Sequence, residues 1–121
     1  MSYELTQEFF FDASHTLDRK VEADASRRIH GHTYHVEVAI RGEPDPKTSM
    51  VMDLGFFRAE LEKVRHELDH RMLDAVEGMG VATLENLSRF IAGRLGAALP
   101  GLVSVTVSRR ASGDRCTLRL G

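Results

Sequence analysis

His30-Gly31-His32-Thr33-Tyr34-His35-Val36-Glu37-Val38-Ala39-Ile40, residues 30–40, alternates side-chain character with a period of two. His30, His32, Tyr34, Val36, Val38 and Ile40 share one parity, while Thr33, His35, Glu37 and Arg41 share the other. A period of two is that of an extended strand whose successive side chains leave opposite faces. The segment therefore reads as a strand with an apolar face that carries two histidines at its leading end. Just upstream, residues 4–15 alternate in the same way, with Leu5, Phe9, Phe11, Ala13 and His15 on one side and Thr6, Glu8, Asp12 and Ser14 on the other. Phe10 interrupts that pattern. Residues 16–28 between the two strands are polar and non-periodic, as a loop is.

Downstream the period changes. Gly42-Glu43-Pro44-Asp45-Pro46 is a turn, and Ser49 to Met52 reads as a short extended piece. From there Leu54, Phe57, Leu61, Val64 and Leu68 recur at the spacing of a helix face, with Asp53 placed to cap its first turn. Gly78 and Gly80 break the chain. Thr83 can cap a second helix that presents Leu84, Leu87, Ile91 and Leu95 and stops at Pro100-Gly101. Val103, Val105, Val107 and Arg109 then alternate with Ser104, Thr106, Ser108 and Arg110. Ala111-Ser112-Gly113-Asp114 turns, and Cys116, Leu118 and Leu120 alternate on a last strand. The order β-β-α-α-β-β predicts an α+β fold, one antiparallel sheet with both helices on one face, in a single domain over residues 1–121. Such a sheet keeps free edges, and self-association through them is expected.

A chain of 121 residues with 42% hydrophobic and 28% charged residues has the composition of an ordinary globular domain. A formal net charge of −2 offers no electrostatic footprint for nucleic acid or an anionic membrane, so neither is an expected partner. No apolar run approaches the ~20 residues of a membrane span. The first residues carry no basic-then-apolar leader, and the lone Cys116 cannot form an internal disulfide; a cytoplasmic protein is expected, with Cys116 a small buried packer.

The chemistry concentrates in the histidines. His30 and His32, two apart on a strand, send both rings from one face, and His15 ends the inward parity of the neighbouring strand. Taken singly, a strand histidine is more often an ordinary core or surface residue. Three neutral imidazoles converging on one point suit Zn2+, and three protein ligands in place of four describe a site with an open coordination position. A competing pattern is His66-Glu67-Leu68-Asp69-His70, which matches the H-E-x-x-H of metallohydrolases; no convincing third ligand follows it. Asp69 beside His70 is also readable as a carboxylate that orients an imidazole for proton transfer, or as a histidine that merely favours a helix C-terminus.

FDASHTL (11–17), RIHGHTYHVEV (28–38), MVMDLGFF (50–57), LDHRMLD (68–74) and ATLENL (82–87) stand in an order and spacing that resembles the 6-pyruvoyl-tetrahydropterin synthase and 6-carboxytetrahydropterin synthase family. The likeness runs from about residue 8 to about residue 90. It implies a tunnelling fold, in which β-β-α-α-β-β subunits close their sheets into a barrel as a trimer or a homohexamer of two trimers. It implies zinc on His15, His30 and His32, a proton-transfer dyad at Asp69 and His70, and a small-molecule substrate of the dihydroneopterin triphosphate type. Thr83, Glu85 and Arg109 then fall at substrate-binding positions.

Two residues depart from that pattern. Ser26 stands where the family has a catalytic cysteine, and a serine hydroxyl is far less acidic than a thiol of pKa about 8.5. Glu22, Asp24 or zinc-bound water could take over its role. Arg109 stands where the family has a glutamate that anchors the pterin edge. A guanidinium has donors and no acceptor, so it suits a carboxylate or phosphate instead, unless Arg109 simply ends an edge strand in solvent. A zinc-dependent lyase acting on a related anionic molecule is one expectation; a zinc-containing binding protein without turnover is the other.

Overall fold

The computed structural model describes residues 1–16, 28 and 30–121. The alternating segments pair as strands β1 (Tyr3–His15), β2 (His30–Gly42), β3 (Leu102–Arg109) and β4 (Asp114–Arg119), in an antiparallel sheet of that order. Two helices, α1 (Leu54–Leu68) and α2 (Leu84–Leu95), connect β2 to β3, with a 3-10 turn at Leu73–Ala75 between them. The loop expected at 16–28 lies almost wholly outside the described residues, and Ser26, Glu22 and Asp24 lie there with it.

Both helices begin at the residues the sequence singles out. The Asp53 carboxylate accepts from the Phe56 N–H at 2.9 Å, and the Thr83 hydroxyl accepts from the Asn86 N–H at 3.1 Å. Each satisfies one orphan donor of a first turn, a contribution of about 1 kcal/mol. Phe57, Leu61, Val64 and Leu68 of α1 and Leu87, Ile91 and Leu95 of α2 are buried against the sheet face built from Phe11, Tyr34, Val36, Val38, Ile40, Val105 and Val107. That face is the one whose parity also carries His15, His30, His32 and Arg109, so the packed layer ends in polar side chains at one extremity.

Among the described residues, no helix lies over the opposite face. It presents Glu8, Glu37, Thr106, Thr117 and Arg115, with a Thr106–Thr117 hydroxyl pair at 2.8 Å and an Arg115–Glu37 ion pair at 3.1 Å. Phe10, the residue that broke the alternation, belongs to this face; it is 52% exposed, beside the His35 ring and the Arg65 guanidinium.

Some expectations do not hold. Ser49–Met52 is not extended: Ser49 is left-handed, φ 61°, its N–H donates to the Asp45 carbonyl at 2.7 Å, the Met50 carbonyl accepts from the Asp45 N–H at 2.9 Å, and Val51 and Met52 bend. Cys116 is half-buried, because β4 is an edge strand with one side open. The β2–β3 register shifts beside Ala39 and Ile40, so Leu102 pairs with Ile40 and Val103 drops out of the ladder as a bulge. The turn before β3 needs its glycine. Gly101 has φ of 83°, and a Cβ there would sit 2.3 Å from the Arg41 carbonyl oxygen.

The far edge of β1 is partly closed. The His70 N–H donates to the Asp12 carbonyl at 2.7 Å, the Asp12 N–H to the Asp69 carboxylate at 3.0 Å, and the Ser14 N–H to the Arg71 carbonyl at 3.0 Å. Glu4, Thr6 and Glu8 share the parity of Asp12 and Ser14, so their backbone groups face the remaining open edge.

Candidate metal centre

The register of β1 on β2 places His15 directly opposite His30, and Ala13 opposite His32. Because all three histidines have inward parity, their rings meet at the end of the core. The Nε2 atoms of His15 and His30 lie 2.9 Å apart, and those of His15 and His32 lie 3.1 Å apart. Among the described residues this is the His/Cys/Asp/Glu group with one ligand atom from each member within 4.8 Å of the others. Nitrogens around a tetrahedral zinc, each at about 2.0–2.1 Å, stand roughly 3.3 Å from one another. The cluster has that size.

Backbone acceptors orient the rings. His15 Nδ1 is 3.0 Å from the Ala82 carbonyl oxygen, and His30 Nδ1 is 2.7 Å from the Arg28 carbonyl oxygen. A carbonyl only accepts, so Nδ1 carries the proton in both neutral rings and each Nε2 keeps its lone pair. Two lone pairs aimed at each other across 2.9 Å repel unless a cation stands among them. The donor set therefore fits a divalent metal, and the carbonyl partners behave as the outer contacts that fix ligand tautomers.

Burial is the largest influence on His15, 1% exposed, and holds its imidazole below its ordinary pKa; His30 and Arg109 act in the same direction, against the Ala82 carbonyl and Asp74. The ring is thus neutral at neutral pH, the form in which an imidazole can hold a metal. Tyr34, stacked on Phe11 at 5.1 Å between ring centres, brings its hydroxyl 3.5 Å from His15 Nδ1. Burial pushes that phenol up to about 12, so it stays protonated and works as a supporting wall. Asp74 accepts from the Thr16 N–H and hydroxyl and so fixes the chain where it leaves His15. Tyr34, Ala82 and Asp74 were not singled out by the sequence. Tyr34 shares the histidines' parity and could have been; a backbone carbonyl leaves no sequence signal.

Arg109 joins the same cluster. Its Nη2 donates to Asp114 at 2.8 Å, and its Nη1 reaches His32 Nε2 at 3.4 Å. Its side chain is 15% exposed, and its buried Nε has no hydrogen-bond partner among the described residues.

Asp69 and His70 form a pair with Nδ1 and Oδ2 3.0 Å apart, where α1 ends. His70 takes a left-handed conformation, φ 59°, unusual for a residue with a Cβ, and its side chain is 79% exposed. The Asp12 N–H is the main cause that holds the Asp69 carboxyl below its usual pKa, with His70 and Arg65 adding to it. A groove of about 430 Å³ is lined by both His32 and His70. A larger one, about 750 Å³, lies between β1 and α1 and includes no triad residue. Thr83 spends its hydroxyl on the α2 cap, and Glu85 is exposed in the first turn beside it; Ala82, immediately before, is the residue that holds His15.

The H-E-x-x-H reading fails on geometry. The helix ends at Leu68, so His66 and His70 do not share a helical face, and Glu67 is engaged by Arg94 at 3.1 and 3.2 Å.

A family model described as 6-pyruvoyl tetrahydropterin synthase matches residues 4–119. A dihydroneopterin monophosphate aldolase of Pyrococcus furiosus is 36% identical over 95 residues, spanning 78% of this chain and 76% of that one. The 6-pyruvoyl tetrahydrobiopterin synthase of Homo sapiens is 32% identical over 111 residues, spanning 80% and 77%. The solved structure of Caenorhabditis elegans 6-pyruvoyl tetrahydropterin synthase superposes with a TM-score of 0.84 at 28% identity, covering 100% of this chain and 97% of that one.

Proposed function

The chain belongs to the 6-pyruvoyl tetrahydropterin synthase family, and on that premise we propose that it is a zinc-dependent lyase acting on a phosphorylated dihydroneopterin or a related anionic small molecule. The observation that carries the proposal is the convergence of three Nε2 atoms with the two neighbouring Nδ1 atoms committed to carbonyls. His15, His30 and His32 hold the ion. Bound there, zinc supplies Lewis acidity towards a substrate hydroxyl or carbonyl.

The remaining steps fall to the chain's own groups. Asp69 receives the His70 Nδ1–H, which leaves His70 Nε2 as the atom that takes and returns a proton. Arg109 meets the acidic part of the substrate. Thr83 and Glu85, at the α2 N-terminus next to the residue that orients His15, are the further substrate contacts. The role of the family's cysteine passes to Ser26 or to the carboxylates Glu22 and Asp24 of the same segment.

Zinc-loaded protein incubated with dihydroneopterin triphosphate and, separately, dihydroneopterin monophosphate tests this reading. Release of triphosphate with side-chain rearrangement, or cleavage of the side chain from the monophosphate, is the expected outcome. Tight binding of both compounds with no product would leave a binding protein in place of an enzyme.

The open edges of β1 and β4, and a polar sheet face with no helix over it among the described residues, support closure of the sheets between copies, as a trimer or a homohexamer of two trimers. Light scattering on the purified protein should give three or six times the 13.5 kDa chain mass; a monomer across micromolar concentrations would remove this part of the reading.

A further inference from the structure

Arg109 Nη1 points at His32 Nε2, 3.4 Å away. That nitrogen is also one of the three that the triad presents to a metal. A single lone pair serves either an N–H donor or a metal, never both. Nε of the same guanidinium is buried without a partner among the described residues, while Nη2 is anchored on Asp114. Filling the triad therefore leaves two donors of one buried cation unsatisfied, beside a second positive charge. Burial of charged donors without acceptors is costly. An oxyanion would satisfy both donors and offset the repulsion between guanidinium and ion.

We propose that Arg109 is a metal-conditional oxyanion anchor: it rests on His32 while the triad is empty and turns to a phosphate or carboxylate group of the substrate once the triad is filled. This rests on the zinc reading of the triad and adds to it a sign and a selectivity. Arg109 opposes the metal until an anion arrives, so anion and metal bind cooperatively. The anchor selects substrates with an acidic group next to the metal-binding atoms, which a glutamate at this position would repel. Asp114 keeps the guanidinium pointed at the site and is a positioning residue.

The test measures binding, not turnover. Zinc is titrated into apo protein by competition with a chromophoric chelator, with and without inorganic phosphate or acetate; phosphate is titrated calorimetrically into apo and zinc-loaded protein. In the wild type, zinc should tighten phosphate binding by about tenfold, and phosphate should tighten zinc by the same factor, as reciprocity of coupling requires. Arg109→Gln should bind zinc several-fold more tightly than wild type and lose the coupling; Arg109→Lys should keep part of it. The acetate arm shows whether a carboxylate suffices or a phosphate is needed. If wild type takes up no zinc, the triad reading itself fails. If zinc binds but phosphate affinity is indifferent to it, or Arg109→Gln weakens zinc binding, the triad stands and the anchor is overturned.

Discussion

Substitution of His15 by alanine should abolish stoichiometric zinc binding, lowering affinity by more than about 100-fold, since loss of a mere outer partner of a zinc ligand already costs 10–100-fold. His15 is the pivot of the cluster: both short nitrogen contacts, 2.9 Å to His30 and 3.1 Å to His32, are made by it. Metal analysis after dialysis reads the loss directly. A thermal readout reads it independently, because an ion held at 100 times its dissociation constant stabilises the native state by about 2.7 kcal/mol. That zinc-dependent rise in Tm should vanish in His15→Ala and persist in His35→Ala, whose ring lies on the other sheet face beside Phe10. Full zinc content in the alanine variant would dismantle the proposed centre.

The pH dependence of apo stability follows with a definite sign. Burial holds the folded His15 below the 6.5 of a free imidazole. As pH falls through 6.5, the unfolded chain gains a proton that the folded chain does not, so stability declines from there down to the folded value. His15→Ala should flatten that part of the profile.

The sheet face was legible from alternation alone, and the alternation is also what exposed the site. His15, His30 and His32 share parity with Phe11, Tyr34 and Val36, so a reader who knows only which way the core lies knows that the rings meet at its end. Arg109 was legible in direction for the same reason, through Val105 and Val107. Its contact with His32 was not, because that depends on how β3 registers on β2, and the bulge at Val103 is invisible to a period count. The carbonyls of Ala82 and Arg28 that set the tautomers of His15 and His30 belong to no residue type at all. Ser49–Met52 misled because local composition cannot show that the Asp45 backbone bonds both Ser49 and Met50, with Ser49 in a left-handed conformation. Phe10 does break the alternation: it is an apolar ring on the polar face, and it leans on Arg65 and His35, partners that the period does not reveal.

Asp69→Asn should lower kcat by about 10²–10⁴-fold with little change in fold, and the reason lies in which atoms of the carboxylate are in use. Oδ1 accepts the Asp12 N–H and ties the end of α1 to the edge of β1, a job an asparagine oxygen can keep. Oδ2 faces His70 Nδ1 at 3.0 Å, and there an asparagine presents an NH₂ group. The amide then donates to Nδ1, moves the imidazole proton to Nε2 and leaves no lone pair on the atom that must take a proton from substrate. Asp69→Ala loses the clip as well as the tautomer, so it should unfold earlier in urea than Asp69→Asn while matching its loss of turnover. The carboxyl is held below its usual pKa, chiefly by the Asp12 N–H, so its stabilising contribution is complete above about 3.9, the unfolded value, and is lost only as pH falls through the lower folded one. Across the neutral range Asp69 is always ionised. An acidic limb in the wild-type kcat profile near neutrality must then belong to a group other than Asp69. Wild-type turnover in Asp69→Asn, measured on zinc-loaded protein, would show that the pair is a helix terminus and nothing more.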